Sequence, residues 1–282
     1  MSGAIVYQGE PGAFSHLACR EYYPDMVPIP VVSFSKAFVA VRSGEADLAM
    51  MPVDNSVAGR VSDIYHLLPD GGLHIIAEHY LPVHHNLMAV PEAGIDRIRI
   101  ARSHPMALGQ ARRRLDHMNI RGIPDTDTAG AARKVAERKD TTVAAVASTL
   151  AAEIYGLNIL AANIEDADHN TTRFLVLSKT PAGPGFDNGP VVSSLVFRVR
   201  SVPSALYKAL GGFATNGINI TKLESYMVDG SFQAAQFYMD VEGHPDSGPM
   251  RHALEELEFF SEKVHILGTY PAHPLRSGKI DV

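Results

Sequence analysis

One cysteine, Cys19, stands in 282 residues. Neither a disulfide framework nor a thiolate zinc site can be assembled from it. A basic excess is also missing: 25 Lys and Arg face 31 Asp and Glu, a net charge of −6. This argues against a nucleic-acid-binding protein, though not against a local cationic pocket for an acidic metabolite. No run approaches the ~18 apolar residues of a membrane span. The opening "MSGAIVYQGEPGAF" lacks a basic stretch followed by an apolar core, so no signal peptide is expected and the expected location is the cytoplasm. Asn170-Thr171-Thr172 matches a glycosylation acceptor only formally, because secretion is not expected. What the chain does have is apolar residues, 46% of the total, enough for a sizeable core in one large domain or two smaller ones.

Short apolar runs alternate with helical patterns over residues 1–178. Strands are predicted at Ala4 to Tyr7, Val27 to Val32 and Leu48 to Val53. Ser33 suits the N-cap of a helix with Phe34, Phe38 and Val41 at i, i+4, i+7, stopped by Gly44. Ile75 to Leu87 reads as extended. Further strands fit Ile98 to Ala101, Ile120 to Ile123 and Val143 to Ala147, with helices at Ala107 to His117, Ala129 to Arg138 and Leu150 to Tyr155, closed by Gly156. Such alternation predicts parallel sheets with crossover helices, here in two lobes with chain crossings near 80–88 and 163–171. Residues 179–190, "KTPAGPGFDNGP", are a linker by composition. In 191–275 the pattern becomes βαββαβ: a strand Val191 to Val199, a helix from Pro203 to about Thr215, and a strand entered through "NGINI". A hairpin at Asp229-Gly230 follows, then a strand Phe232 to Asp240, a helix near Pro249 to Phe259, and a strand Lys263 to Thr269. The fold class is therefore α/β, a bilobal domain followed by a ferredoxin-like one.

Ligands of open α/β sheets collect beyond the carboxyl ends of strands. The stretches there are "QGEPGAFS", "DNSVAGR", "SHPMALGQ" and "STLAAEIYGL", all rich in hydroxyls, amides or helix starts. Each also has a plainer explanation. "GEPGAFS" lacks the third glycine and following lysine of a phosphate loop, and Ser103 and Ser148 suit N-caps. Arg112 to Arg114 suit a solvated helix face. His79, His84 and His85 have no spacing or carboxylates that favour a metal. The segment "HNTTRFLVL", 169–177, sets Asn170, Thr172 and Arg173 directly before an apolar strand. Together these residues describe a cleft of neutral donors with one or two arginines, Arg173 first and Arg60 next, suited to a small carboxylate whose reaction needs orientation and desolvation.

These motifs resemble, in order and over nearly the whole chain, the prephenate dehydratase family. The matching stretches are "GEPGAFS", "MPVDNSVAG" (with Asp54 where the family usually has Glu), "SHPMALGQ" (with Met106 for a Gln), the Tyr-Gly-Leu segment, and Thr172-Arg173-Phe174, the most specific of them. Residues 191–275 resemble the ACT regulatory domain of the same enzymes, closing with "LGTYP". The resemblance implies a fold like type II periplasmic binding proteins and conversion of prephenate to phenylpyruvate, water and carbon dioxide. It also implies no metal or organic cofactor, a homodimer or homotetramer, and feedback by phenylalanine. Arg173 is the expected carboxylate anchor and Thr172 the expected donor to the leaving hydroxyl. Asn55, Ser56, Ser103 and Gln110 would orient the substrate, with Ser15, Ser148 and Asn170 as further contacts. Phe174 suits an apolar wall or plain core packing equally. Effector contacts are expected at Ala205, Leu206, Asn216, Asn219, Ile220, Glu224 and Ser225. The family's Gly-Ala-Leu-Val and Glu-Ser-Arg-Pro read "SALY" and "ESYM" here, so an amino-acid effector, phenylalanine first, is expected with altered affinity or specificity. Arogenate, the amino analogue, is the alternative substrate, and a non-catalytic amino-acid sensor the alternative class.

Overall fold

The computed structural model describes residues 3–185, 189–200, 202–227 and 234–277. By contact the chain divides into two compact units. Residues 1–62 and 79–174 form the first, and residues 63–78 and 175–282 the second.

From the N-terminus the elements are β1 (Ala4–Gln8), α1 (Phe14–Tyr22), β2 (Val27–Val31), α2 (Phe34–Ser43), β3 (Leu48–Asn55), β4 (Gly59–Arg60), α3 (Ser62–Leu67) and β5 (His74–Pro82). There follow β6 (Asn86–Ala89), β7 (Ile100–Ser103), α4 (Pro105–Gln110), α5 (Arg112–His117), β8 (Arg121–Pro124), α6 (Thr128–Arg138), β9 (Val143–Ala147), α7 (Thr149–Tyr155), β10 (Asn158–Ala161) and β11 (Thr171–Ser178). One sheet has the order β2-β1-β3-β11-β5 and another β10-β6-β9-β7-β8. In each, the strand beside the third is the one that enters just after a crossing: β11 in the first and β6 in the second. Both sheets thus carry the strand order of type II periplasmic binding proteins.

Local chemistry accounts for many element ends. Ser33 caps α2 by accepting from Lys36 N, and Gly44 leaves the helix at φ 85°. Asp127 caps α6 through Gly130 N, Ser148 caps α7 through Ala151 N, and Gly156 ends α7 at φ 65°. Strand β9 is alanine and valine, buried on both faces, and packs with Ala101, Leu115, Ala131 and Val135 in the core of the second lobe. The helix expected over 107–117 is instead two short helices broken at Ala111, whose φ of −110° leaves the helical region. Gly109, a poor helix former, lies just before the break. Strand β10 carries no alternating apolar signal and sits at a sheet edge, which is why its sequence did not predict it.

The C-terminal elements are β12 (Val191–Val199), α8 (Ala205–Thr215), β13 (Ile220–Met227), β14 (Ala234–Glu242), α9 (Gly248–Phe260) and β15 (Ser261–Pro271). Their antiparallel order β13-β14-β12-β15 is the ferredoxin-like βαββαβ. The Asp229-Gly230 hairpin and the first two residues of its predicted strand lie outside the described residues. Helix α8 begins at Ala205, not Pro203, because Ser204 holds a left-handed φ of 63°. One sheet face packs Leu195, Phe197, Phe237 and Met239 against Ala209, Phe213 and Leu257 of the helices. The other face carries Tyr65 of α3 against Tyr238, ring centroids 5.0 Å apart. There Arg276 bonds Glu78 at 2.5 and 2.9 Å and reaches Asp240 at 3.4 Å. Among the described residues no helix is long and apolar enough to cross a membrane.

Candidate active site

The turn after β1 needs its glycines. Gly12 has φ +91°, and a Cβ there would stand 2.8 Å from the Ala151 backbone. Ser148 Oγ donates to Gly12 O at 2.6 Å, and Tyr155 OH donates to Pro11 O at 2.8 Å. The N–H of Gly12 is engaged by His16 Nδ1 at 3.0 Å. This stretch docks one lobe on α7 of the other, and its backbone is not a phosphate cradle. Ser148 is buried and committed to that contact, and Ser15 is buried in the first turn of α1.

The two crossings run together, with Val83 N donating to Asn170 O at 2.7 Å. Asn170, 4% exposed, is the centre of a side-chain network. Asn55 Nδ2 donates to Asn170 Oδ1 at 2.8 Å and to Thr172 Oγ1 at 3.0 Å. Asn55 Oδ1 accepts from Val57 N and Ala58 N at 3.0 and 2.7 Å, which fixes the amide nitrogen as the donor end. Thr172 Oγ1 is therefore an acceptor toward Asn55, and its own proton is available for a third party. Ser56 Oγ donates to His169 O at 2.6 Å and accepts from Thr171 N at 2.9 Å, so it ties the β3 turn to the entry of β11. Asn170 Nδ2 continues the network to Gln110 at 3.1 Å.

A cavity of about 330 Å³ opens beside this network, lined by Val57, Pro105, Met106, Gly109, Gln110, Asn170 and the 165–167 segment. Glu165 is held by His84 Nδ1 at 2.7 Å and by His85 N at 2.8 Å. Asp166 is held by Arg113, whose backbone N lies 3.0 Å from a carboxylate oxygen. Arg173, 6% exposed, lies with Nη1 3.6 Å from Asp54 Oδ2. A guanidinium that deep needs such a countercharge, and its planar fork has donors for more than one acceptor.

One expectation is corrected at Ser103, and burial decides between the two readings of Phe174. Ser103 is not the cap of α4: the cap is His104, whose Nδ1 accepts from Met106 N at 3.2 Å. Ser103 is the last residue of β7, fully buried, and its hydroxyl donates to Val146 O at 2.6 Å, so it is spent inside the sheet. Phe174 is buried within β11 and contributes to the core. In the C-terminal sheet, β13 pairs Ser225 with Phe237 and Glu224 with Tyr238, so these neighbours face opposite sides. Glu224 bonds Lys222 Nζ at 3.2 Å, Asn216 Nδ2 caps α8 through Gly212 O at 2.8 Å, and Asn219 Nδ2 bonds Glu242 at 3.0 Å. Ala205 is buried in the first turn of α8, Leu206 packs partly buried beside it, and Ile220 opens β13. Sequence reasoning weighed His85 only as a metal ligand. It is 2% exposed with Nε2 2.7 Å from Gln110 Oε1, and burial lowers its pKa, outweighing the Gln110 bond and Glu165. Among the described residues no cluster of His, Cys, Asp and Glu could hold a metal ion.

A model of the prephenate dehydratase family matches residues 5–182. A bifunctional N-acyl-homoserine lactone acylase/prephenate dehydratase of Komagataeibacter europaeus is 50% identical over 277 residues, 96% of this chain and 97% of the relative. The chloroplastic arogenate dehydratase/prephenate dehydratase 1 of Arabidopsis thaliana is 39% identical, covering 96% and 73%. The crystal structure of an Arthrobacter aurescens prephenate dehydratase in complex with L-Phe superposes with a TM-score of 0.88 at 30% identity, covering 95% of this chain and 90% of that one. On the matched motifs and on this similarity along nearly its full length, the chain belongs to the prephenate dehydratase family.

Proposed function

We propose that this chain converts prephenate to phenylpyruvate, water and carbon dioxide. The observation that carries the reading is Thr172, which accepts from Asn55 while its hydroxyl proton meets no acceptor among the described residues, at the entry of the strand that also presents Arg173. In the reaction the bond from ring to carboxylate breaks, its electron pair enters the ring, and the ring hydroxyl departs with a proton. Aromatisation supplies the driving force. Arg173 grips the side-chain carboxylate, Thr172 donates to the departing hydroxyl, and the apolar wall of Val57, Pro105 and Met106 strips water from the carboxylate that leaves. A threonine is too weak an acid to act alone, so Thr172 orients or relays the proton.

The C-terminal βαββαβ serves as an ACT domain that binds an amino acid, phenylalanine first, in a cytoplasmic homodimer or homotetramer. The Arthrobacter aurescens relative in complex with L-Phe supports that assignment. Ser225, on the helix-covered face with Ala205 and Leu206, fits such a site, whereas Glu224 on the opposite face does not join it.

Hydrolysis of N-acyl-homoserine lactones is a second reading, favoured by the name of the 50% identical relative. An amide hydrolase needs an activated nucleophile. The histidines beside the cleft, His84 and His85, bond Glu165 and Gln110 and do not address a hydroxyl or thiol. Purified protein given prephenate, arogenate or an N-acyl-homoserine lactone in separate reactions decides among the readings. Formation of phenylpyruvate at the highest kcat/KM is expected. Faster release of phenylalanine from arogenate, or turnover of the lactone alone, would replace the proposal.

A further inference from the structure

The direction of every amide in the cleft network is set by two backbone groups. Val57 N and Ala58 N fill Asn55 Oδ1, so Asn55 Nδ2 is a donor and the Asn170 atom it meets is a carbonyl oxygen. Asn170 then presents Nδ2 to Gln110, and the Gln110 atom 3.1 Å away must be Oε1. That same oxygen lies 2.7 Å from His85 Nε2. An oxygen acceptor requires a proton on this ring nitrogen, so His85 is in the Nε2–H tautomer. Its other nitrogen, Nδ1, is buried with no hydrogen-bond partner among the described residues. A proton there would bury an unpaired N–H together with a charge. Burial also holds the pKa of the ring down, which favours the neutral imidazole. The ring is pinned in place: Phe14 meets it edge-on at 5.5 Å, and the backbone N–H and C=O of His85 are bonded to Glu165 and Ile164 N at 2.8 Å each.

With Oε1 taking two donors, the only polar group left on Gln110 is its amide nitrogen. It has no acceptor among the described residues, and Gln110 lines the cavity. We infer that His85 is a positioning residue, whose Nε2–H holds the Gln110 carboxamide with its NH2 turned into the cleft to donate to an oxygen of the substrate. Without that bond, Asn170 alone would restrain the carboxamide, which could rotate and present an oxygen to an anionic substrate. The inference rests on the proposed reaction only for the identity of the substrate, since the tautomer follows from the network itself.

Two measurements test it. Nitrogen-15 chemical shifts of the imidazoles in the wild-type protein report the tautomer without any substrate, and a protonated Nε2 with a bare Nδ1 is expected for His85. Steady-state kinetics on prephenate then compare His85→Asn with His85→Gln. Glutamine can place its amide nitrogen where Nε2 stands, whereas asparagine is too short. Loss of one oriented donor predicts a fall in kcat/KM of about tenfold or more for His85→Asn, mainly through KM, with recovery to within roughly threefold of wild type in His85→Gln. An Nδ1–H tautomer, wild-type kinetics in His85→Asn, or equal impairment of the two variants would overturn the inference. A wild-type protein that leaves prephenate untouched defeats the proposed reaction instead, and the tautomer alone then decides the role of His85.

Discussion

Thr172 and Arg173 are adjacent at the entry of β11 and meet different partners, Asn55 and Asp54. Thr172 accepts from Asn55 at 3.0 Å and keeps its proton for the substrate. Replacing it with alanine removes that proton source and leaves the rest of the network in place. Turnover of prephenate should fall by about two to four orders of magnitude with KM changing far less, as measured by phenylpyruvate formation. Near-normal turnover by a folded Thr172→Ala protein would take the residue out of the mechanism. Arg173 is buried beside Asp54 at 3.6 Å, so a lysine there would keep the charge pair but lose the planar fork. KM should rise by about tenfold to a hundredfold, the equivalent of one charge-assisted hydrogen bond. Unchanged binding in Arg173→Lys would move the anchor elsewhere, to Arg60 first.

At the scale of elements, the joint between the lobes is the turn before α1. Gly12 is constrained twice, by φ +91° and by the Ala151 backbone 2.8 Å from where a Cβ would stand. Gly44 has a similar φ, +85°, but open space around it. Urea unfolding should therefore separate the two substitutions. Gly44→Ala should cost about 1 kcal/mol, the left-handed backbone term alone, and Gly12→Ala about 2–4 kcal/mol, because α7 must also move. Equal costs would mean that the turn does not press on α7. Ser204, at φ 63° before α8, is the reverse case. A glycine, as in the Gly-Ala-Leu-Val that the resembling family carries, would hold this left-handed backbone without strain.

For the molecule as a whole, Asp125 is one legible source of pH-dependent stability in the first unit. Burial would raise the carboxyl of Asp125, but Lys134, the Thr126 N–H and Arg102 outweigh it and bring the pKa down from 3.8 to about 2. The unfolded chain takes up this proton more readily, so the stabilisation is complete above ~pH 5 and disappears as the pH falls toward 2. It amounts to about 2 kcal/mol. Unfolding free energies of the wild type and Asp125→Asn should differ near neutrality and converge in acid, and a gap that persists at low pH would refute this source. For the proposed effector domain, calorimetric titration with phenylalanine, tyrosine, tryptophan and methionine should show binding of phenylalanine first. Binding of none, with activity indifferent to all four, would leave the domain structural only.

Most strand and helix positions, several caps and the motif-bearing turns were readable from the chain alone, because they depend on hydrogen bonds a few residues apart and on side-chain period. Ser33, Gly44, Ser148 and Gly156 end their helices as local chemistry requires. The stretch 169–177 announced its hydroxyl, amide and arginine in one line. Three things depended on tertiary structure. Ser103 turned inward to Val146, since only the neighbouring strand decides what lies beside a strand end. Residues 63–78 joined the C-terminal unit, where Glu78 meets Arg276 across 198 positions of sequence. The cleft network closed through pairs 25, 60 and 115 residues apart, and that closure set the tautomer of His85. Local pattern fixes which residues can donate or accept, but the direction of each hydrogen bond is decided only when packing brings distant partners within about 3 Å.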